Sequence, residues 1–129
     1  MTSSTFNNLK ASTNGGIYLQ VSRANIYDSS FLDCTATHSS GIYADNSMLF
    51  MNNTVFEEME SQYGTIVAFN DANITVTQSR FIACNTENVG GAITLFESNL
   101  TIDSSTFDQF VGSAINGEVS NIQLDDVTM

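Results

Sequence analysis

The stretch Ser79-Arg80-Phe81 is one of five similar three-residue phrases in this chain, each of which ends in phenylalanine. The five phenylalanines are separated by 25, 25, 25 and 26 residues, so the phrases stay in register along almost the whole sequence of 129 residues. They are Phe6, Phe31, Phe56, Phe81 and Phe107. A fixed period of this length is typical of repeat architectures, in which each repeat is one structural unit stacked on the next.

A second apolar column follows the phenylalanines with nearly the same period. It is predicted to contain Ile17, Ile42, Val67, Ile93 and Ile115. The position two residues later is also predicted to face inward, and in the third repeat that position is Phe69. Apolar residues at i and i+2 indicate a β-strand with one buried face, and no segment holds the 3.6-residue apolar period of a helix. The sequence therefore predicts an all-β fold.

Bends are predicted between these short strands. Gly15-Gly16 and Gly90-Gly91 come just before the second apolar column, where small residues allow the chain to turn sharply. From that column, the next inward position follows after seven residues in every repeat, as Ile74 follows Val67. This pattern predicts a right-handed parallel β-helix of about five coils, each of about 25 residues and three short strands. Equivalent side chains of successive coils should then stack through a shared interior.

The segment Gly90-Gly91-Ala92-Ile93, followed by Ser98-Asn99-Leu100-Thr101-Ile102, resembles the repeats of polymorphic outer membrane proteins. That family pairs a Gly-Gly-Ala-Ile motif with a Phe-x-x-Asn motif. Other coils of this chain carry degenerate copies such as Gly15-Gly16-Ile17, and none of the five repeat phenylalanines has Asn three residues later. The resemblance implies a right-handed β-helix of the pectin-lyase-like superfold and an adhesive role at a cell surface.

Residues 1–129 are expected to form a single β-helical segment that is an excerpt of a longer solenoid. The sequence begins and stops inside the repeat phrase, and neither end carries an amphipathic helix or a polar cap. The expected partners are further coils of the same chain or copies of it end to end, with surface proteins or glycans as further candidates. The segment lacks the features of a signal peptide, but an extracellular or cell-surface location is expected.

The charge of the chain argues against two classes of partner. Fourteen acidic side chains and three basic ones give a net charge of −11. Such a surface repels phosphate backbones and anionic lipids, so we expect no binding to nucleic acid or to membrane surfaces. No apolar run reaches the roughly 18 residues of a membrane span, so none is expected.

Two cysteines and one acidic turn are the candidates for special chemistry. Cys34 and Cys84 fall in one inward column that ends at Phe110, but they lie two coils apart, about 9–10 Å, which predicts two buried free thiols. An acidic turn follows the phenylalanine column and is a weak candidate for binding Ca²⁺; a solvated acidic turn is the alternative. Its candidate ligands are Asp33, Glu57 and Glu58.

The remaining candidate sites are glycosylation sequons and exposed aromatic side chains. Asn-x-Ser/Thr sequons permit glycosylation in a secreted protein, and they occur at Asn52, Asn73 and Asn99. Exposed contact aromatics are predicted at Tyr18, Tyr43, Phe50 and Phe96. Tyr18 and Tyr43 share a column and are predicted to form a stacking platform for a sugar ring or a partner. His38 lies in a polar loop and is interpreted as a surface residue.

The leading interpretation is therefore a non-catalytic structural repeat segment of a surface, extracellular or filament-forming protein that needs no cofactor. The alternative is an adhesin-like or carbohydrate-binding β-helix module. A polysaccharide lyase or hydrolase comes third. Those activities need paired carboxylates, or a metal and a base, whereas the three basic residues of this chain fall in separate coils.

Overall fold

Parallel strands, and no helices, make up the regular structure in the described part of the chain. The computed structural model describes residues 1–88, 91–109 and 113–129. These residues form nineteen short strands in four sheets, and every pairing is parallel and joins one coil to the next. No helix long and apolar enough to cross a membrane occurs in these three ranges.

Each sheet takes one strand from successive coils. Sheet 1 consists of β1 (Thr5–Asn7), β5 (Ser30–Leu32), β9 (Val55–Glu57), β13 (Arg80–Ile82) and β17 (Thr106–Asp108). Sheet 2 consists of β2 (Lys10–Ala11), β6 (Thr35–Ala36), β10 (Glu60–Ser61) and β14 (Asn85–Thr86). Sheet 3 consists of β3 (Ile17–Gln20), β7 (Ser39–Asp45), β11 (Gly64–Phe69), β15 (Gly91–Phe96) and β18 (Ser113–Glu118). Sheet 4 consists of β4 (Arg23–Tyr27), β8 (Met48–Asn52), β12 (Asn73–Thr77), β16 (Asn99–Asp103) and β19 (Asn121–Asp125).

The predicted five-coil β-helix is confirmed, and its phenylalanines stack as expected. The ring centroids of successive members of this column lie 4.6, 4.7, 4.8 and 4.7 Å apart, and their planes differ by at most 13°. This spacing is that of neighbouring strands in a sheet, because each ring sits above its counterpart in the preceding coil. The number of strands differs from expectation, because the two-residue strands of sheet 2 add a fourth strand to the three predicted in each coil.

The third coil departs from the predicted register by one residue. Ile66, and not Val67, pairs with Ile42 and Ile93 and occupies the inward column. Val67 instead pairs with Tyr43 and faces outward. The predicted placement of Val67 in the core ladder is therefore wrong, and the spacing from this column to Ile74 is eight residues in this coil.

The cause of the shift is a longer turn after β11. Asn70 and Asp71 both adopt positive φ angles, of 54° and 60°, whereas Asn46 alone does so at the equivalent turn of the second coil. The extra turn residue absorbs the change of register, so that Ile74 still pairs with Leu49 and Leu100. Because Ile66 and Val67 are both β-branched and apolar, the sequence pattern alone could not distinguish the two registers.

Buried serine hydroxyls hold the corners between sheets. Ser79 is buried where sheet 4 gives way to sheet 1, and its Oγ donates to the carbonyl oxygen of Thr77 at 2.8 Å. The same Oγ accepts a hydrogen bond from the backbone N–H of Thr54 in the preceding coil at 3.1 Å. Ser29 and Ser105 are buried at the same corner in other coils, and Ser47 and Ser98 are buried at the corner between sheets 3 and 4. They continue hydrogen bonding between coils where the strands themselves end.

Phe56→Ala is expected to lower the free energy of unfolding by about 3–5 kcal/mol, because Phe56 is 0% exposed and its loss opens a cavity between two stacked rings. Phe6→Ala is the matched control: Phe6 is half-buried in the first coil and has one ring neighbour in the described structure, so its loss should be smaller. Urea unfolding followed by circular dichroism measures both values. Equal losses in the two variants would contradict the stacked column.

Candidate functional site

A row of aromatic side chains crosses four coils on the outer face of sheet 3. The ring centroids of Tyr18 and Tyr43 lie 5.3 Å apart, those of Tyr43 and Phe69 5.5 Å, and those of Phe69 and Phe96 4.5 Å. We call these four residues the aromatic row. Phe69 was predicted to face the interior, and this prediction is wrong. Ala68 faces the interior instead, and Phe69 lies on the outer face, paired with Asp45 of the preceding coil.

The rings of the aromatic row cover one another's faces. The planes of Tyr18 and Tyr43 differ by 13°, and those of Phe69 and Phe96 by 9°. Nearly parallel rings at this spacing expose their edges to solvent and keep their faces against neighbours. Tyr43 has a ring on either side, so the predicted Tyr18–Tyr43 pair forms but leaves only the far face of Tyr18 for stacking. Burial raises the pKa of the Tyr43 hydroxyl, and the Asp45 charge and Tyr18 raise it further.

Beside the aromatic row lies a groove of about 340 Å³, which we call the aromatic groove. Its lining residues are His38, Tyr43, Tyr63, Val67, Phe69 and Phe96. His38 and Tyr63 form the wall opposite the aromatic row, with ring centroids 5.4 Å apart and planes tilted by 40°. His38 was interpreted as a plain surface residue, but it is half-buried and belongs to this wall.

Hydrogen bonds fix the backbone of the opposite wall. The hydroxyl of Thr94 donates to the carbonyl oxygen of Tyr63, and the N–H of Gln62 donates to the carbonyl oxygen of Thr37 at 2.9 Å. Between the walls, Val67 is only 1% exposed although it faces outward and is not a member of the interior core cluster. The groove is therefore built by the fold, with an apolar floor that its walls shield from solvent.

Phe50 does not join the other predicted contact aromatics. It lies on the outer face of sheet 4, where its ring is tilted by 50° against Tyr27 at 5.7 Å. A shallow depression there is lined by Phe50 together with Arg23 and Met48. Tyr18, Tyr43 and Phe96 thus share one surface, and Phe50 belongs to another.

The three sequon asparagines are all engaged in hydrogen bonds. The amide nitrogen of Asn99 donates to Oδ1 of Asn73 at 3.1 Å, and that of Asn121 donates to Oδ1 of Asn99 at 2.9 Å, so an asparagine ladder runs up sheet 4. The amide of Asn52 donates to the hydroxyl of Thr77 at 2.7 Å. Asn73 is the exposed member of the three, whereas Asn52 and Asn99 are half-buried. Glycosylation at these sites remains a prediction.

Both cysteines are buried free thiols, as predicted. The Sγ of Cys84 lies 3.6 Å from the carbonyl oxygens of Phe56 and Ile82, and burial raises the pKa of this thiol to about 12. Phe110, which was predicted to close the same column, lies outside the described residues.

The candidate Ca²⁺ ligands are exposed at the turn after sheet 1. Asp33, Glu57 and Glu58 occupy neighbouring coils there. In residues 1–88, 91–109 and 113–129, no three His, Cys, Asp or Glu side chains come close enough together to hold a metal ion.

Parallel strands, a coil of about 25 residues and columns of equivalent inward side chains define a parallel β-solenoid. The family model described as "Right handed beta helix region" matches residues 15–128, and the chain belongs to this family. No curated protein matches the sequence. Among solved structures, a candidate glycosyl hydrolase from Parabacteroides merdae is similar, with 13% identity, a TM-score of 0.43 and coverage of 88% of this chain and 83% of that one. At that TM-score the likeness carries no argument about activity.

Stability should fall in alkaline solution because of Cys84. Its pKa is about 12 when folded and ordinarily 9.0, so above pH 9 the unfolded chain loses a proton that the folded chain retains. The stabilisation is therefore fully present below pH 9 and is lost progressively up to about pH 12. Urea unfolding at pH 8, 9 and 10 should show a shallower pH dependence for Cys84→Ala than for the wild type. Identical pH dependences would contradict the buried thiol.

Proposed function

We propose that this chain is a non-catalytic structural segment of a β-helical rod at a cell surface or in the extracellular space. The observation that carries the proposal is the solvent exposure of the interior columns in the last coil. Ile122 and Leu124 are 42% and 44% exposed, whereas their register partners Leu100 and Ile102 are 1% and 0% exposed. A further coil stacked on the last one would bury Ile122 and Leu124, just as the last coil buries Leu100 and Ile102.

The distribution of charge supports head-to-tail contact between such segments. Residues 1–27 contain Lys10 and Arg23 and no acidic side chain, whereas residues 104–129 contain four acidic side chains and no basic one. The first and last coils of this segment thus carry opposite charge, which favours contact between the last coil of one copy and the first coil of another. The acidic side chains of the middle coils would keep neighbouring rods apart laterally.

The placement of basic groups supports a non-catalytic role. Lys10 lies in sheet 2, Arg23 in sheet 4 and Arg80 in sheet 1. The guanidinium of Arg23 contacts the sulfur of Met48 at 3.1 Å. A mechanism that pairs a carboxylate with a basic proton acceptor needs both groups at one bond, and the three basic residues lie in three different sheets.

Sedimentation velocity over a range of concentrations tests the head-to-tail proposal. The wild-type chain is expected to associate, and association should weaken as salt screens the charged ends. The double change Ile122→Thr and Leu124→Thr should weaken association about tenfold or more, because it removes the apolar side chains that a further coil would cover. Gln123→Thr, on the outward face of the same strand, is the matched control and should associate as the wild type does. A monomer at every concentration would contradict the proposal.

A carbohydrate-binding module is the second candidate, and the free face of Tyr18 favours it. Tyr18 is 54% exposed, and its ring stacks on Tyr43 on one side only. A sugar ring could lie on the open side, as sugars do on exposed aromatic faces.

Tyr18→Ser is therefore expected to abolish glycan binding, because it removes the exposed ring face at the Tyr18 end of the aromatic row. A glycan array compares this variant with Phe50→Ser, which removes an aromatic ring from sheet 4 and should retain binding. Retention of glycan binding by Tyr18→Ser would eliminate this candidate.

A further inference from the structure

We propose that the aromatic groove binds a planar aromatic cation. The groove is preformed, its floor at Val67 is shielded from solvent, and its aromatic walls come from two different parts of the coil. Pockets with these properties, apolar with a few polar groups at the rim, are the usual binding sites for small molecules. This inference does not depend on head-to-tail association, because the groove lies on the side of the rod.

The orientation of the rings selects a flat ligand. Phe69 and Phe96 stack within 9° of parallel, so they present their edges to the groove. The edges of the two stacked rings form an apolar strip, against which the flat face of a ligand buries area. A planar ligand laid along the row would place its face on these edges while the wall of His38 and Tyr63 encloses its other side. A sugar ring, by contrast, needs an open aromatic face.

The charges around the row select a cation. One register column across sheet 3 runs from Asp45 through Phe69 and Phe96 to Glu118, so a carboxylate stands at each end of the Phe pair. Glu97 follows Phe96 in the chain and lines the adjoining surface. The three basic residues, Lys10, Arg23 and Arg80, all lie in the described ranges and none of them lines the groove, and the net charge of the chain is −11. A delocalised positive charge therefore gains from the surroundings of the groove, and an anion of the same shape is repelled.

The test uses two fluorescent probes of similar flatness and opposite charge. Thioflavin T, a planar aromatic cation, should bind the full wild-type chain, and anilinonaphthalene sulfonate, an aromatic anion, should not. Tyr63→Ser removes one wall and should weaken thioflavin T binding by about tenfold. Asp45→Asn combined with Glu118→Gln should weaken it severalfold and reduce the preference for the cation.

Two controls assign the binding to the groove. Phe50→Ser removes a comparable aromatic ring from sheet 4, and the double change Ile122→Thr and Leu124→Thr alters the end of the rod; both should bind thioflavin T as the wild type does. Circular dichroism and thermal melting confirm that each variant is folded, and Phe96→Thr replaces Tyr63→Ser if that variant is not. Equal affinity for the two probes, or thioflavin T binding that survives the loss of the wall, would overturn the proposal.

Discussion

Contact between equivalent side chains of successive coils is the interaction on which this structure depends. Phenylalanine rings repeat at 4.6 to 4.8 Å because the hydrogen bonds between parallel strands set that distance, and the rings fill the space it leaves. A coil has no interior of its own, so each inward residue is buried only by the coils above and below it. This dependence explains why Leu100 is buried while its partner Ile122, one coil further along, is not.

The corners obey the same constraint as the strands. Backbone groups that leave a sheet still need hydrogen-bond partners, and the hydroxyl of a buried serine supplies both a donor and an acceptor there. Ser79 donates a hydrogen bond to Thr77 in its own coil and accepts one from Thr54 in the preceding coil. It therefore joins the two coils at a corner that lies between strands. The many serines of this chain thus contribute to its folding as well as to its solubility.

The period of the phenylalanines was sufficient to predict the coil, the parallel sheets and the free cysteines, because each depends on residues that recur at fixed intervals. It was not sufficient in the third coil, where Ile66 and Val67 satisfy the same pattern and a turn residue decides between them. Because of that ambiguity, Phe69 was assigned to the interior, and the aromatic groove was not predicted. Tyr63 and His38 were also missed as groove residues, because their meeting depends on loops that follow no repeat.

The interior of this solenoid supplies stiffness, and its outer faces are free to differ from coil to coil; the aromatic groove and the charged ends are two such differences. Both presuppose that equivalent residues lie directly above one another. Nuclear Overhauser contacts between ring protons, recorded with selectively labelled phenylalanine, test this most directly. The structure predicts contacts from Phe31 to Phe56 and from Phe56 to Phe81, and none from Phe31 to Phe81. Missing contacts between adjacent coils, or a direct contact that skips one, would contradict the stacked β-helix.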